Sequence, residues 1–314
     1  MASYSLNPAL DAPHPIFSNR SLVFALATLC CLFWGSSYPA IKGGYALFEV
    51  VRGDIPSTLL FAGWRFTLAG LVLLAFARIG GASLRLSRRH WQGVVSLGLG
   101  QTTVHYVFFY VGLANTTGVK SSVLNGAVSF FGVFLAHFFV QGERVTLAKV
   151  VGCIVGFLGV LAVNFNPELL DLSFTLLGEG FVLIAAFIMA AGMVHGKSIS
   201  RTLDSTVMTG YQLFIGGSVL LFAGTVSGGH LAALTPASAA LMAFLVFNSS
   251  VALSLWSVLL KYNGVGMISV FNFLVPIFGA LLSAWFLNES VLEWKNLLAL
   301  LLVCSGIWLV NRRR

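Results

Sequence analysis

From Gly118 to Lys149 the chain reads GVKSSVLNGAVSFFGVFLAHFFVQGERVTLAK, and from Gly264 to Lys295 it reads GVGMISVFNFLVPIFGALLSAWFLNESVLEWK. Superposed without gaps, the two stretches share Gly118/Gly264, Val119/Val265, Leu135/Leu281, Glu143/Glu289, Val145/Val291 and Lys149/Lys295. One inserted residue later, GVLAVN ending at Asn164 meets GIWLVN ending at Asn311. Each copy is an apolar helix with a polar stripe, a short turn with a Glu, and a second apolar helix. Internal repeats of this kind are a sequence trace of transporter architecture.

Working outward, the composition names the solvent. Apolar residues make up 58% of the 314 residues and charged residues 9%, with a mean hydropathy of +0.92. A soluble domain carries roughly 25% charged residues, so this chain belongs in a bilayer. A spanning helix needs about 20 apolar residues. Such stretches fall at 22–44, 59–78, 91–112, 118–140, 147–164, 176–196, 206–227, 237–260, 265–287 and 291–310. The expectation is an all-α membrane protein of ten transmembrane helices. Five spans per half is an odd number, so the two repeats must be inverted relative to one another. Residues 1–20 are polar and Pro-broken and do not resemble a cleaved signal peptide.

The divisions follow: a cytoplasmic tail over 1–21, a five-helix repeat over 22–164, a connection over 165–175, a second repeat over 176–311, and a basic C-terminus over 312–314. With a cytoplasmic N-terminus, thirteen of the 18 basic residues face the cytoplasm: Arg20, Arg78, Arg85, Arg88, Arg89, Arg144, Lys149, Lys197, Arg201, Lys261 and Arg312 to Arg314. The positive-inside rule therefore puts both termini in the cytoplasm. The net charge of +8 lies in short loops between spans, so no nucleic-acid partner is expected. Cys30, Cys31, Cys153 and Cys304 all fall in apolar helices without a His at ligand spacing. They read as small core residues, with no metal, cofactor or disulfide implied.

The polar residues inside the spans are the candidate site. Trp34, Ser37, Tyr38 and Ile41 share one face of span 1, beside Pro39. That face is either a packing surface or an aromatic cavity wall. Arg65, within span 2, is expected to form a structural ion pair with Glu49 or Asp54. Span 2 also echoes span 7, Arg65-FTLAGLVLL matching Gln212-LFIGGSVLL. Span 3 brings Gln101, Thr102, His105, Tyr106 and Tyr110. Span 4 carries Ser121, Asn125 and Ser129, and span 9 answers with Ser269, Asn272 and Pro276; Pro276 cannot donate and crowds the carbonyl of Asn272. Span 8 places Ser250, Ser254, Ser257 and Lys261 on one face, with Asn248 and Trp256 nearby. Gly152 and Gly156 make a close-packing GxxxG. Glu143 and Glu289, at span ends, read as caps or turn-setters rather than as catalytic acids.

No Ser/His or Ser/Lys pair, HExxH, paired acids or nucleotide loop is present, so no catalytic residue is assigned and an ATP-driven pump is excluded. A lipid-acting intramembrane enzyme is the alternative from another class. No carboxylate lies at mid-span; coupling to protons would use His105, His195 or Glu179. The expected cavity is walled by spans 1, 3, 4, 6, 8 and 9, with spans 5 and 10 as scaffold. Trp34, Tyr38, Tyr106, Tyr110 and Trp256 supply flat surface, and Ser37, His105, Asn125, Ser129, Ser254 and Asn272 supply hydrogen bonds. Such a lining suits an amphipathic solute, such as an aromatic amino acid, better than a sugar phosphate; organic cations remain open as the alternative.

Together the span 1 FWGSSYPAIK, the Arg65-Phe of span 2 and the twofold Glu-x-Val…Lys…Gly hairpin with its GVLAVN and GIWLVN ends resemble the drug/metabolite transporter superfamily, EamA type, over residues 22–311. The resemblance implies export or exchange of small metabolites by alternating access. It also places the chain in a bacterial inner membrane, without an obligatory protein partner. Within that superfamily, aromatic amino-acid exporters of the YddG type are similar in length and topology. The first hairpin departs from the second in having Phe130 where the second has Pro276.

Overall fold

The structure is a computed structural model describing residues 16–51, 53–165, 174–286 and 294–312. Every regular element among the described residues is helical. The helices are α1 (Arg20–Leu47), α2 (Ile55–Ile79), α3 (Arg88–Ala114), α4 (Gly118–Asn125 continued by Ala127–Phe139), α5 (Leu147–Val163), α6 (Leu176–Ser200), α7 (Ser205–Val226), α8 (Pro236–Tyr262), α9 (Val265–Ser269, Val270–Phe273 and Leu274–Phe286) and α10 (Trp294–Asn311). Eight of them are long and apolar enough to cross a membrane, and α5 and α10 are shorter apolar helices. The protein is a multi-pass integral membrane protein.

Helix starts follow from local chemistry. A helix leaves its first amide N–H groups unsatisfied, and a short polar side chain ahead of it accepts from them. Asn19, Asp54, Ser87, Thr117, Thr146, Thr175, Asp204 and Thr235 do so for α1 to α8. α9 has no such residue, because its cap position is Gly264. Glu143, in the turn between α4 and α5, supplies the acceptor from the other repeat. Its Oε1 accepts from Val265 N at 2.6 Å and its Oε2 from Gly266 N at 2.8 Å. The expected capping role therefore holds, but for a helix over a hundred residues away rather than for α5. Glu289 lies outside the described residues.

The packing repeats with the sequence. α2 lies along α7, and α5 along α10; α1 packs on α8 and α9, and α6 packs on α3 and α4. Adding five to each helix number, around a cycle of ten, turns one list into the other, as a pseudo-twofold axis requires. Glycines set the approach of the scaffold pair. A Cβ on Gly306 would sit 2.5 Å from the Gly152 carbonyl and 2.6 Å from Gly156 N, so α5 and α10 meet backbone to backbone. The Gly152/Gly156 face is thus a packing face, as expected. Cys30, Cys31 and Cys153 are buried core residues, whereas Cys304 is exposed on α10, contrary to the expectation for all four.

Candidate substrate site between the repeats

α4 and α9 are both interrupted, and at the same repeat position. The offset that maps Gly118 onto Gly264 maps Gly126, where α4 breaks, onto Asn272, in the tight turn of α9. Pro276 explains the second break: it offers no N–H to the Asn272 carbonyl, and its ring crowds the preceding turn. In α4 the glycine does the same work through its low helix propensity. The two interrupted helices touch nearby. Ser129 Oγ donates to the Ser269 carbonyl at 2.9 Å, and Asn272 Nδ2 donates to the same oxygen at 2.9 Å. Gly132 lies against Ser269 so closely that a Cβ would come within 2.6 Å of the serine Cβ. Half-buried Asn125, one residue before the α4 break, has no side-chain hydrogen bond among the described residues. Backbone irregularity at this depth is tolerated only beside protein or a cavity.

Beside this crossing, α1, α2 and α8 meet through a polar cluster. Arg65 is 5% exposed; its Nε donates to Ser249 Oγ at 2.7 Å and its Nη2 to Ser37 Oγ at 3.3 Å. The single O–H of Ser37 has Phe33 O and Asn248 Oδ1 within reach. Asn248, fully buried, donates to Phe33 O at 2.7 Å and Ser36 Oγ at 2.9 Å. These bonds hold the Pro39-containing helix α1 on α8. The expected ion pair is absent: among the described residues Arg65 has no carboxylate partner. Asp54 instead caps α2 through Ser57 N at 3.1 Å. Nearness in sequence to Glu49 and Asp54 was misleading, because Arg65 lies nearly three turns down α2 from Asp54 and points sideways into α1 and α8. Asn248, Ser249 and Arg65 are the principal members that composition alone under-weighted.

Aromatic rings flank the cluster. Trp34 and Trp256 approach with centroids 4.8 Å apart. Tyr106 lies tilted against Phe66 at 4.6 Å and Tyr110 at 5.6 Å between centroids. Tyr38 keeps 40% of its surface open while its ring lies over Gly279 of α9. At about 100° per residue, that ring points away from the exposed Leu22, Leu29 and Leu47 of α1.

Other candidates are engaged elsewhere. His105 is buried, with Nδ1 2.9 Å from the Ala185 carbonyl of α6. Gln101 and Thr102 sit in a π-helical stretch, Gly98–Val104, that shifts the register of α3; both meet Gln212 of α7. Ser250 bonds the Ala69 carbonyl of α2, while Ser254 and Ser257 bond Thr206 and Thr209 of α7. That serine face therefore holds α8 to the α2–α7 scaffold, and Ser257 also borders a small hollow. A hollow of about 380 Å³ lies between the ends of α3 and α6, lined by Arg89, His90, Ser96 and His195 among others. A second of about 20 Å³ lies among α3, α6, α7 and α8, lined by Gln101, Lys197, Gln212 and Trp256 among others. α7 lines this second hollow through Met208 and Gln212.

Two segments, residues 21–165 and 176–312, each match the EamA-like transporter family. The chain belongs to that family. Relatives extend over almost the whole length. The uncharacterized transporter YvbV of Bacillus subtilis (strain 168) is 28% identical over 294 residues, covering 92% of this chain and 91% of that protein. The uncharacterized inner membrane transporter YedA of Escherichia coli (strain K12) is 26% identical over 305 residues, covering 92% and 94%. A WAT1-related chloroplastic protein of Arabidopsis thaliana is 27% identical over 288 residues, covering 89% and 67%. A solved crystal structure superposes with a TM-score of 0.75 at 18% identity, covering 93% of this chain and 97% of that one, which is a likeness of fold. The EamA-like chain is accordingly a membrane transporter in its broad role, and its family points away from an enzyme.

Proposed function

We propose that this EamA-like protein carries small amphipathic metabolites, with aromatic amino acids foremost, across a bacterial cytoplasmic membrane by alternating access. The observation that carries the reading is the pair of helices α4 and α9, interrupted at equivalent repeat positions and touching through Ser129, Gly132 and Ser269, beside a cluster of aromatic rings. Interrupted helices at a repeat interface are where secondary transporters hold their solutes. The proposed lining is Trp34, Ser37, Tyr38, Tyr106, Tyr110, Asn125, Trp256, Asn272 and Pro276. His105, Ser129 and Ser254 hold neighbouring helices in place around it. In this reading α5 and α10 also cross the bilayer, giving ten crossings and two cytoplasmic termini. α5 has 17 residues and α10 has 18, which at about 1.5 Å per residue reach some 26 Å, close to the thickness of a hydrocarbon core.

The test is counterflow in proteoliposomes against a panel of amino acids, sugars, nucleosides and organic cations. Competition by aromatic amino acids is the expected outcome. Competition by organic cations alone overturns the substrate, and chemical turnover of a lipid without solute flux overturns the class. Cysteine-accessibility mapping that put Arg314 outside would end the ten-crossing topology.

A further inference from the structure

We infer that Arg65 is the anion anchor of the transport site, and that the solute it selects carries a carboxylate. This rests on the transporter reading above and narrows it to a chemical class. A guanidinium inside a spanning helix is expensive to bury, and such charges are normally paired or functional. Arg65 is 5% exposed, and its partners, Ser249 Oγ and Ser37 Oγ, are neutral. A guanidinium has five N–H donors. Two are spent on the serines, and neither hydrogen of Nη1 has a partner among the described residues. Nor is Nη1 among the buried polar atoms sealed off without a partner, which are those of Thr67, Ser205, Trp256 and Ser269. It reaches open space.

Aromatic rings lie around the guanidinium. Ser37, which Arg65 touches, is the chain neighbour of Tyr38, and the Arg65 guanidinium lies 5.2 Å from the Phe66 ring, which itself lies tilted against Tyr106. The same charge acts electrostatically on the hydroxyls of Tyr45, Tyr106 and Tyr110. A planar fork with its free edge toward a ring-lined space matches a carboxylate, which accepts two parallel N–H bonds. The two serines fix the fork's orientation before any solute arrives. The matching position in the second repeat is Gln212, whose amide is already bonded to Gln101 and Thr102. The Arg65 position is therefore charged in one repeat only; Lys197, which lines the hollow beside Gln212, already spends its Nζ on the Leu260 and Asn263 carbonyls, which leaves Arg65 with the open donors for an anionic group. Lone organic cations are disfavoured beside it.

The experiment compares phenylalanine and tryptophan with their methyl esters, their decarboxylated amines and tetraphenylphosphonium, in counterflow and in thermal unfolding of the purified protein. Wild-type protein should exchange the free acids at least tenfold better than the esters or amines, and the acids should raise its melting temperature. Arg65→Gln should lose at least tenfold in acid flux and lose the ligand-induced shift. Without solute it should remain folded and monodisperse, because Ser37 and Asn248 still join α1 to α8. Arg65→Lys, which keeps the charge but not the fork, should recover part of the flux. Esters or amines exchanging as well as acids, or Arg65→Gln keeping acid flux within twofold, overturns the anchor and leaves transport standing. If wild-type protein moves none of the panel and no acid shifts its melting, both the anchor and the substrate reading fall.

Discussion

Glu143 offers a measurable link between the repeats. Its carboxylate accepts two N–H groups at the start of α9, at 2.6 and 2.8 Å, where the cap residue is a glycine. A hydrogen bond to a charged group contributes about 1.5–3 kcal/mol, and a carboxylate at a helix N-terminus adds about 0.3–1 kcal/mol. Glu143 is half-buried, so the lower ends apply and Glu143→Ala should cost about 3 kcal/mol. Glu143→Gln keeps one acceptor and should cost about half of that. Val265→Pro supplies the other side of a double-mutant cycle. It deletes the N–H that Oε1 accepts, proline is favoured at a first helical position, and Gly264 is already extended at ψ 138. Val265 is fully buried, so the single change also loses packing, but that loss cancels in the cycle. The coupling should be about 1.5 kcal/mol. Unfolding is read by thiol-reactive dye entering at Cys30, Cys31 and Cys153, all buried, in a background where exposed Cys304 is Ser. Strict additivity of the two changes would refute the cap. So would an unchanged yield of folded Glu143→Ala.

Gly306→Val drives a side chain into the Gly152 carbonyl and Gly156 backbone. It should cost at least about 3 kcal/mol, seen as loss of monodisperse protein in detergent, while Cys304→Ser on the same helix is silent. Asn125→Ala should lower flux with little change in melting, since its side chain holds no internal bond. Ser129→Ala should do the reverse, costing about 0.6–1.7 kcal/mol for a lost interhelical bond. Asp54 has its carboxyl pKa held below the ordinary value by the Ser57 hydroxyl and then the Ser57 N–H. A depressed folded-state value means that its stabilisation is complete above the unfolded value of about 3.9 and is lost as pH falls through the folded one. Asp54→Ala should therefore cost about 1 kcal/mol at neutral pH and nothing further in strong acid, checked by melting curves across pH.

The fold was legible because bilayer residence and a gapless repeat both show in the letters themselves. The caps were legible too, since Asn, Asp, Ser or Thr stands before each of α1 to α8. What could not be read was anything set by which helix lies opposite. That the serine hydroxyls of α8 bond α2 and α7 depends on which helices lie opposite them. Arg65 looked paired because acids lie nearby in sequence, whereas the helix carries it away from them. The π-helical register of α3 moves Gln101 and Thr102 toward α7, and no residue pattern announces a π turn. Gly126 gave no signal by itself. Its meaning as a break emerges only when the repeat aligns it with Asn272, four residues before Pro276.

The repeat also explains where the two halves are free to differ. Along α5–α10 and α2–α7 the contact is backbone against backbone. A Cβ on Gly152 would meet the Gly306 carbonyl at 2.7 Å, and one on Gly70 would meet the Gly210 carbonyl at 2.7 Å. A change in either member of such a pair moves both halves; on α2–α7 the glycines match across the repeat, Gly63 with Gly210 and Gly70 with Gly217, whereas Gly159 of α5 faces Ala299 and Val303 where Gly306 of α10 faces Gly152 and Gly156. Arg65 and Gln212 occupy matching positions on the α2–α7 pair, yet each reaches outward to a different partner helix, α8 and α3 respectively. Neither side chain crosses the axis, so one became charged without disturbing the other. The same holds for Phe130 and Pro276. A scaffold held close by glycine contacts thus carries a site that need not be symmetric, and a solute with one anionic end and one apolar end fits only the unsymmetrical version.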